Sequence, residues 1–228
     1  MQHLSAFAGW EGVRQKADIK GKPLQAEFYK GSTPDIAVSL LGKVLLHIVD
    51  GKILSGRITE TEAYLSQGDP ACHASRGMTP RNRPMFGPPG RAYVYFIYGN
   101  HFCFNVVTAA QGIGEAVLIR ALEPLSGLEE MFMLRNTMNK QLLCSGPGRL
   151  CQALRIDRNC NEADLSNGRL LLLDDGYTYD DIVAVPRIGI KTAVNLPLRF
   201  YPAGNRFVSR RIRNTRKGDL NDSSSSTR

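Results

Sequence analysis

The stretch YVYFIYGNHFCFN, Tyr93 to Asn105, decides how this chain is read. Aromatic and β-branched residues alternate on both sides of Gly99-Asn100, a pair that tolerates the positive φ of a tight turn. The spacing therefore predicts a β-hairpin. Such a hairpin carries Tyr98 to its tip, where a flat aromatic side chain meets solvent on a rigid support. The question it raises is what a strongly basic protein does with a tyrosine displayed in this way.

The rest of the chain reads outward from that hairpin. KVLLHIVDGKILSGRITETEAYL, residues 43–65, predicts two strands joined at Asp50-Gly51, a strong turn signal. EAVLIRALEPL, residues 115–125, is a further buried-looking strand. Helices are expected at STPDIAVSLL, with Thr33 as N-cap and Pro34 at the first helical position, at SGLEEMFMLRNTM and from SGPGRLCQALRI. Between Gln67 and Arg91 the chain is a loop rich in Gly and Pro. Strands mixed with scattered helices give a single α+β domain. Residues 1–23 read as a flexible extension, 24–209 as the folded domain and 210–228 as a basic, disordered tail with Leu220 as its one sizeable apolar residue in NTRKGDLNDSSSSTR.

Composition narrows the function classes. The 228 residues, 43% hydrophobic and 22% charged, are ordinary for a globular protein. No apolar run approaches the roughly 20 residues of a membrane helix, and the N-terminus lacks a secretory pattern, so a soluble, intracellular protein without a membrane partner is expected. Five cysteines without a CxxC pair suit neither a zinc site nor a disulfide framework. Reduced, packed thiols and no metal are expected instead. The net charge of +8 is unevenly placed: no acid falls between Asp69 and Glu115, or between Asp181 and Asp219, while arginines populate both segments and lysines the second. That segregation suits a polyanion.

Candidate chemistry gathers in two places. In ITETEAYL the strand period puts Glu60, Glu62 and Tyr64 on one face. Paired carboxylates there could supply a general base of raised pKa, could hold a divalent metal as in a nuclease, or could be a charged face paired with arginines. The following loop carries His73 and then Arg76, Arg81 and Arg83, well placed to meet phosphates bidentately. Arg120 lies in an otherwise buried strand and needs a carboxylate or an anion. Glu62 and Glu123 are its candidate partners.

Taken together, ETEAYL, CHASRGMTPRNRPMF, YVYFIYGNHFCFNVV, VLIRALEPL and SGPGRLCQAL, in this order and spacing, resemble the alkyladenine DNA glycosylases, the mammalian type of 3-methyladenine DNA glycosylase. The resemblance runs from about Leu24 to about Ser209. It implies a curved, mostly antiparallel sheet with peripheral helices and a protruding aromatic hairpin. It also implies a monofunctional, cofactor-free enzyme of base excision repair that flips alkylated or deaminated purines (3-methyladenine, hypoxanthine or ethenoadenine) out of double-stranded DNA and leaves an abasic site. A monomer without lyase activity is expected.

By the same resemblance, Glu62 activates the attacking water and Arg120 helps to hold it. Tyr64, His73 and Tyr95 sandwich the extruded purine, Asn105 disfavours guanine, and Tyr98 intercalates in the gap. One residue departs from the pattern: Asn100 stands beside the wedge where the family typically has Met. The rival from another class is a non-catalytic protein that binds damaged DNA with the same hairpin, for which a base and its arginine partner would be superfluous.

Overall fold

Asp50 and Gly51 both take positive φ, 49° and 71°, and join Val49 to Lys52 as a two-residue hairpin loop whose twist matches that of the flanking strands. From this hairpin the sheet grows. The computed structural model describes residues 21–97 and 99–210. Its strands are β1 (Lys22–Pro23), β2 (Val44–Val49), β3 (Lys52–Tyr64), β4 (Ala92–Ile97), β5 (His101–Val107), β6 (Ala116–Ser126), β7 (Leu170–Asp174), β8 (Ile182–Val185) and β9 (Arg199–Pro202). The helices are α1 (Thr33–Ser39), α2 (Leu128–Arg135), α3 (Lys140–Leu143) and α4 (Pro147–Ala153). Every strand pair is antiparallel, in the order β1-β7-β2-β3-β6-β5-β4, with β9 joined to β3 and β8 to β9. This is the α+β domain expected, a curved half-barrel sheet with few helices.

The curvature has a local cause. β3 pairs with β2 along Lys52–Arg57 and with β9 at Thr61–Glu62. Between these two partners its ladder to β6 is broken twice: Ile58 pairs with Leu122, Glu60 with Ala121 and Thr61 with Ile119. Thr59 is the extra residue on β3 and Arg120 the extra residue on β6. Bulges of this kind bend a strand and re-aim its side chains, and these two lie beside the chemistry described below.

Strand alternation then divides the sheet into two faces. Ala63, Ile119, Val117, Phe104, Val106, Val94 and Ala92 point into the main core, where α1 and α4, with the residues that cap their C-termini, supply Ile36, Leu40, Leu150 and Leu154. The opposite face carries a smaller cluster that includes Cys72, Met85 and Tyr93, with Tyr64 and Tyr95 packed against it. All five cysteines are buried and unbonded. Among the described residues no helix is long and apolar enough to cross a membrane.

The expected start of α1 is corrected. Ser32, not Thr33, caps α1, its hydroxyl accepting the Asp35 N–H, so Pro34 is the second helical residue. The Thr33 hydroxyl is instead drawn inward to Glu115 at 2.5 Å and Thr108 at 2.8 Å. In the aromatic hairpin, formed by β4 and β5, Phe104 is fully buried, whereas Phe96 is 40% exposed and packs on Phe102 across the ladder. Tyr98, the expected extension through residue 20 and the tail beyond Arg210 lie outside the described residues. Lys22 and Pro23 pair with β7.

Gly127 at the start of α2 has φ +79°, and a Cβ there would stand 2.6 Å from the Ile53 carbonyl oxygen. Gly68 has φ +71° but open space around it. Gly68→Ala should cost roughly 1–2 kcal/mol of backbone strain alone, and Gly127→Ala about 3 kcal/mol or more because overpacking adds to the strain. Urea unfolding of the two variants tests the difference.

Candidate active site

The registers align one residue from each of five strands in a single row. Tyr93 pairs with Asn105, Asn105 with Leu118, Leu118 with Glu62, and Glu62 with Arg199. Paired residues point to the same face, so this row lies across the face opposite the main core. Arg120, displaced by its bulge, joins the row beside Glu62.

Glu60 and Glu62 are both fully buried, and Arg120 is 7% exposed. The Arg120 guanidinium donates from Nε to Glu60 Oε1 at 3.3 Å and from Nη1 to Glu62 Oε2 at 3.2 Å. Its candidate partner Glu62 is thus confirmed, and Glu123 is not involved. Glu60 also accepts from Arg199 Nη1 at 2.9 Å and from the Ser209 hydroxyl and N–H at 3.0 and 2.6 Å. Four donors saturate it.

Among the described residues Glu62 has three donors: Arg120, the Tyr64 hydroxyl at 2.9 Å and the Ile188 N–H at 2.8 Å. One of its four lone-pair sites is left without a donor among them. Burial raises the Glu62 carboxyl above the ordinary value of 4.5, and Glu60 adds to the rise; Arg120, Ile188 and Tyr64 pull it back. The result is a carboxylate that is more basic than usual.

In front of this pair lies a cavity of about 520 Å³. Its wall includes Tyr64, His73, Tyr95, Asn105 and Arg120, so five of the predicted site residues meet there; Glu62 stands just behind Tyr64, Arg120 and Ile188, which line it. The His73 ring packs edge-on against Tyr95 at 4.7 Å, and Tyr95 lies 5.3 Å from Tyr93. His73 Nδ1 is 3.0 Å from the Tyr93 hydroxyl. Partial burial of the ring, and then the charge of Arg81, lower its pKa and favour the neutral imidazole. Asn105 is 4% exposed, its amide donating to the Tyr93 carbonyl at 3.0 Å.

The predicted backbone arginines behave differently from one another. Arg76, Arg81 and Arg83 are all exposed. Arg81 donates to the Phe96 carbonyl at 3.1 Å, bracing the hairpin, and Arg83 approaches Glu162 at 3.6 Å. Two arginines counted in the basic segment after Asp181 are not surface charges. Arg187 and Arg199 are 5% and 2% exposed and are paired with Asp69 and Glu60. Internal pairing claims them because the sheet face needs cations where its carboxylates are buried. Among the described residues no group of three or more His, Cys, Asp or Glu side chains could hold a metal ion.

Sequence reasoning missed several participants. Tyr93, given no role in the sequence analysis, meets His73 Nδ1 with its hydroxyl. The Ile188 N–H left no trace in side-chain chemistry. Lys191, read only as part of the basic segment, lines the cavity.

This combination of a half-barrel sheet, an aromatic cavity and a buried Glu–Arg pair can be set against known proteins. The sequence profile of the methylpurine-DNA glycosylase family matches residues 27–206. A relative from Carboxydothermus hydrogenoformans, provisionally named 3-methyladenine DNA glycosylase, is 49% identical over 190 residues, covering 82% of this chain and 99% of its own length. Relatives of the same provisional name from Methanoculleus marisnigri and Francisella tularensis are 50% and 49% identical, covering 82% and 78% of this chain and 99% and 94% of their own. The chain belongs to the methylpurine-DNA glycosylase family.

The two buried glutamates should respond unequally to loss of charge. Glu60→Gln takes from the buried Arg199 guanidinium the carboxylate it pairs with and should cost about 3–5 kcal/mol, whereas Glu62→Gln leaves Glu60 paired with both Arg120 and Arg199. Glu62→Gln should stay within ~1 kcal/mol of the wild type. A carboxyl whose pKa is raised by folding stabilises only below its unfolded pKa, so at neutral pH the Glu62 charge is a liability whose removal offsets the lost hydrogen bonds. Urea midpoints at pH 7 distinguish the two.

Proposed function

We propose that the protein acts as a monomer on double-stranded DNA and hydrolytically removes alkylated or deaminated purines, with 3-methyladenine, hypoxanthine and ethenoadenine as its substrate class. The observation that carries this reading is the buried, basic Glu62 carboxylate behind an aromatic cavity, held by three donors among the described residues with one lone-pair site left for water.

A base inside the duplex cannot reach such a cavity, so the nucleotide must be extruded. Tyr98, which lies in sequence between the two hairpin strands, fills the vacated step and offsets part of the unstacking cost. Exposed Arg76, Arg81 and Arg83 meet backbone phosphates. The extruded purine enters between Tyr64 on one side and Tyr95 with His73 on the other. Electron-poor or cationic alkylated bases gain from these ring faces. Asn105, fixed by the Tyr93 carbonyl, stands where a 2-amino group would intrude, which disfavours guanine.

Glu62 takes a proton from the water as its oxygen bonds to C1′ of the deoxyribose. The N-glycosidic bond breaks, its electron pair leaves with the purine, and an abasic sugar remains. Arg120 holds the carboxylate while the sugar develops positive charge. No metal and no covalent enzyme intermediate enter these steps.

Single-turnover release of base from a duplex carrying one hypoxanthine or one ethenoadenine, in EDTA, tests the proposal. Wild-type protein should release the base, and Glu62→Gln should be slower by roughly 10²–10⁴-fold while still binding the lesion. Because the base must be ionised and its pKa is raised, the rate should fall with decreasing pH through a midpoint above 4.5. Binding without release from either duplex, or from alkylated DNA, would make the protein a damage-binding module instead. A borohydride-trapped adduct abolished by Lys191→Ala would replace water with an amine nucleophile.

A further inference from the structure

Arg187 is a buried charge to which the steps above assign no part. Its side chain has no solvent exposure, and neither has that of Asp69. The two form a fork, Nη1 to Oδ2 at 2.5 Å and Nη2 to Oδ1 at 2.6 Å. Nη1 also donates to the Ala63 carbonyl at 2.8 Å, while Nε is buried with no hydrogen-bond partner among the described residues. For stability alone this is a poor arrangement. A buried ion pair barely recovers its desolvation cost, and an orphaned buried donor costs a further ~1–3 kcal/mol. Apolar side chains of similar volume would join the two segments at least as firmly.

What surrounds the pair gives it a purpose. The guanidinium lies over the Tyr64 ring, Cζ 4.5 Å from its centroid. The next residue, Ile188, gives its N–H to Glu62 Oε1. Asp69 accepts the N–H groups of Leu65 and Ala71 at 3.1 and 3.2 Å, fixing the loop that brings Pro70, Ala71 and then His73 to the cavity wall. Two of the three donors on Glu62, the Ile188 N–H and the Tyr64 hydroxyl, are therefore set by groups that adjoin Arg187. The third, Arg120, arrives from β6.

We propose that Arg187, locked by Asp69, is a positioning residue for base excision: it holds Tyr64 and the Ile188 N–H on Glu62 and so keeps the base ionised and aimed. This rests on the reading of Glu62 as the general base. The charged and titratable groups facing Glu62 are Glu60 and Tyr64 from its own strand, Arg120 from β6, Cys103 from β5 and Arg187. Loosening the lock frees two hydrogen bonds made to the ionised carboxylate, which favours its protonated form. The acid limb of the rate then moves to higher pH.

The test is single-turnover base release across the acid limb for Arg187→Gln, Arg187→Lys and Asp69→Asn. The burst amplitude reports the folded fraction and the rate constant reports the site. Arg187→Gln should lower the rate constant by roughly 10- to 100-fold, the scale of a small misplacement in an active site, with the limb at higher pH. Arg187→Lys keeps the charge without the fork and should fall between it and the wild type. Lower amplitude with an unchanged rate constant and limb would overturn the proposal and leave a structural ion pair. Should Arg187→Gln fail to fold, Arg187→Lys decides in the same way. A wild-type limb that persists in Glu62→Gln would overturn the reading of Glu62 itself, and this proposal with it.

Discussion

The guanidinium of Arg120, shared between Glu60 and Glu62, is the interaction on which the site depends. Two carboxylates without solvent exposure repel each other strongly in a medium of low dielectric. Arg120 lies between them at 3.3 and 3.2 Å, and Arg199 adds a second positive charge on Glu60. The cluster is therefore neutral, with two of each charge. Its parts are unequal: Glu60 is saturated by four donors and serves the structure, whereas Glu62 retains a lone-pair site without a donor among the described residues. That difference, not the sequence spacing of the two residues, separates a structural carboxylate from one available for chemistry.

The cluster in turn requires the sheet to break its own regularity. A strictly paired β3–β6 ladder would set Arg120 opposite a single residue. The extra residues Thr59 and Arg120 relax the register where β3 exchanges β2 for β9 as its neighbour. The same irregularity curves the sheet and aims Arg120 at both glutamates. On one face the strands present uninterrupted core residues, and on the other a row from Tyr93 to Arg199. Fold and site are thus two consequences of one strand pattern.

Much of this was legible in the sequence. Asp50-Gly51 specified a two-residue hairpin because only a left-handed pair closes it without splaying the strands, and the alternation in ITETEAYL put Glu60 and Glu62 on the same side. The aromatic alternation from Tyr93 to Asn105 forecast β4 and β5, and Arg120 in a run of apolar residues announced a buried partner. What sequence could not supply was long-range. Arg187 and Arg199 looked like surface charge because their partners, Asp69 and Glu60, lie far away along the chain. The Ile188 N–H belongs to the backbone, which has no sequence signature. Thr33 was a plausible cap until the Glu115 carboxylate, brought close only by folding, drew its hydroxyl inward.

The central claim is that Glu62 is a carboxylate made unusually basic by burial and kept usable by its three donors. Titration of protein labelled with ¹³C at the glutamate carboxyls, with Glu62→Gln used to assign the resonance, tests this directly. The expected result is a single carboxyl titrating above 4.5 and coinciding with the acid limb of base release. A Glu62 resonance titrating at or below that value, or one whose midpoint departs from the kinetic limb, would contradict it.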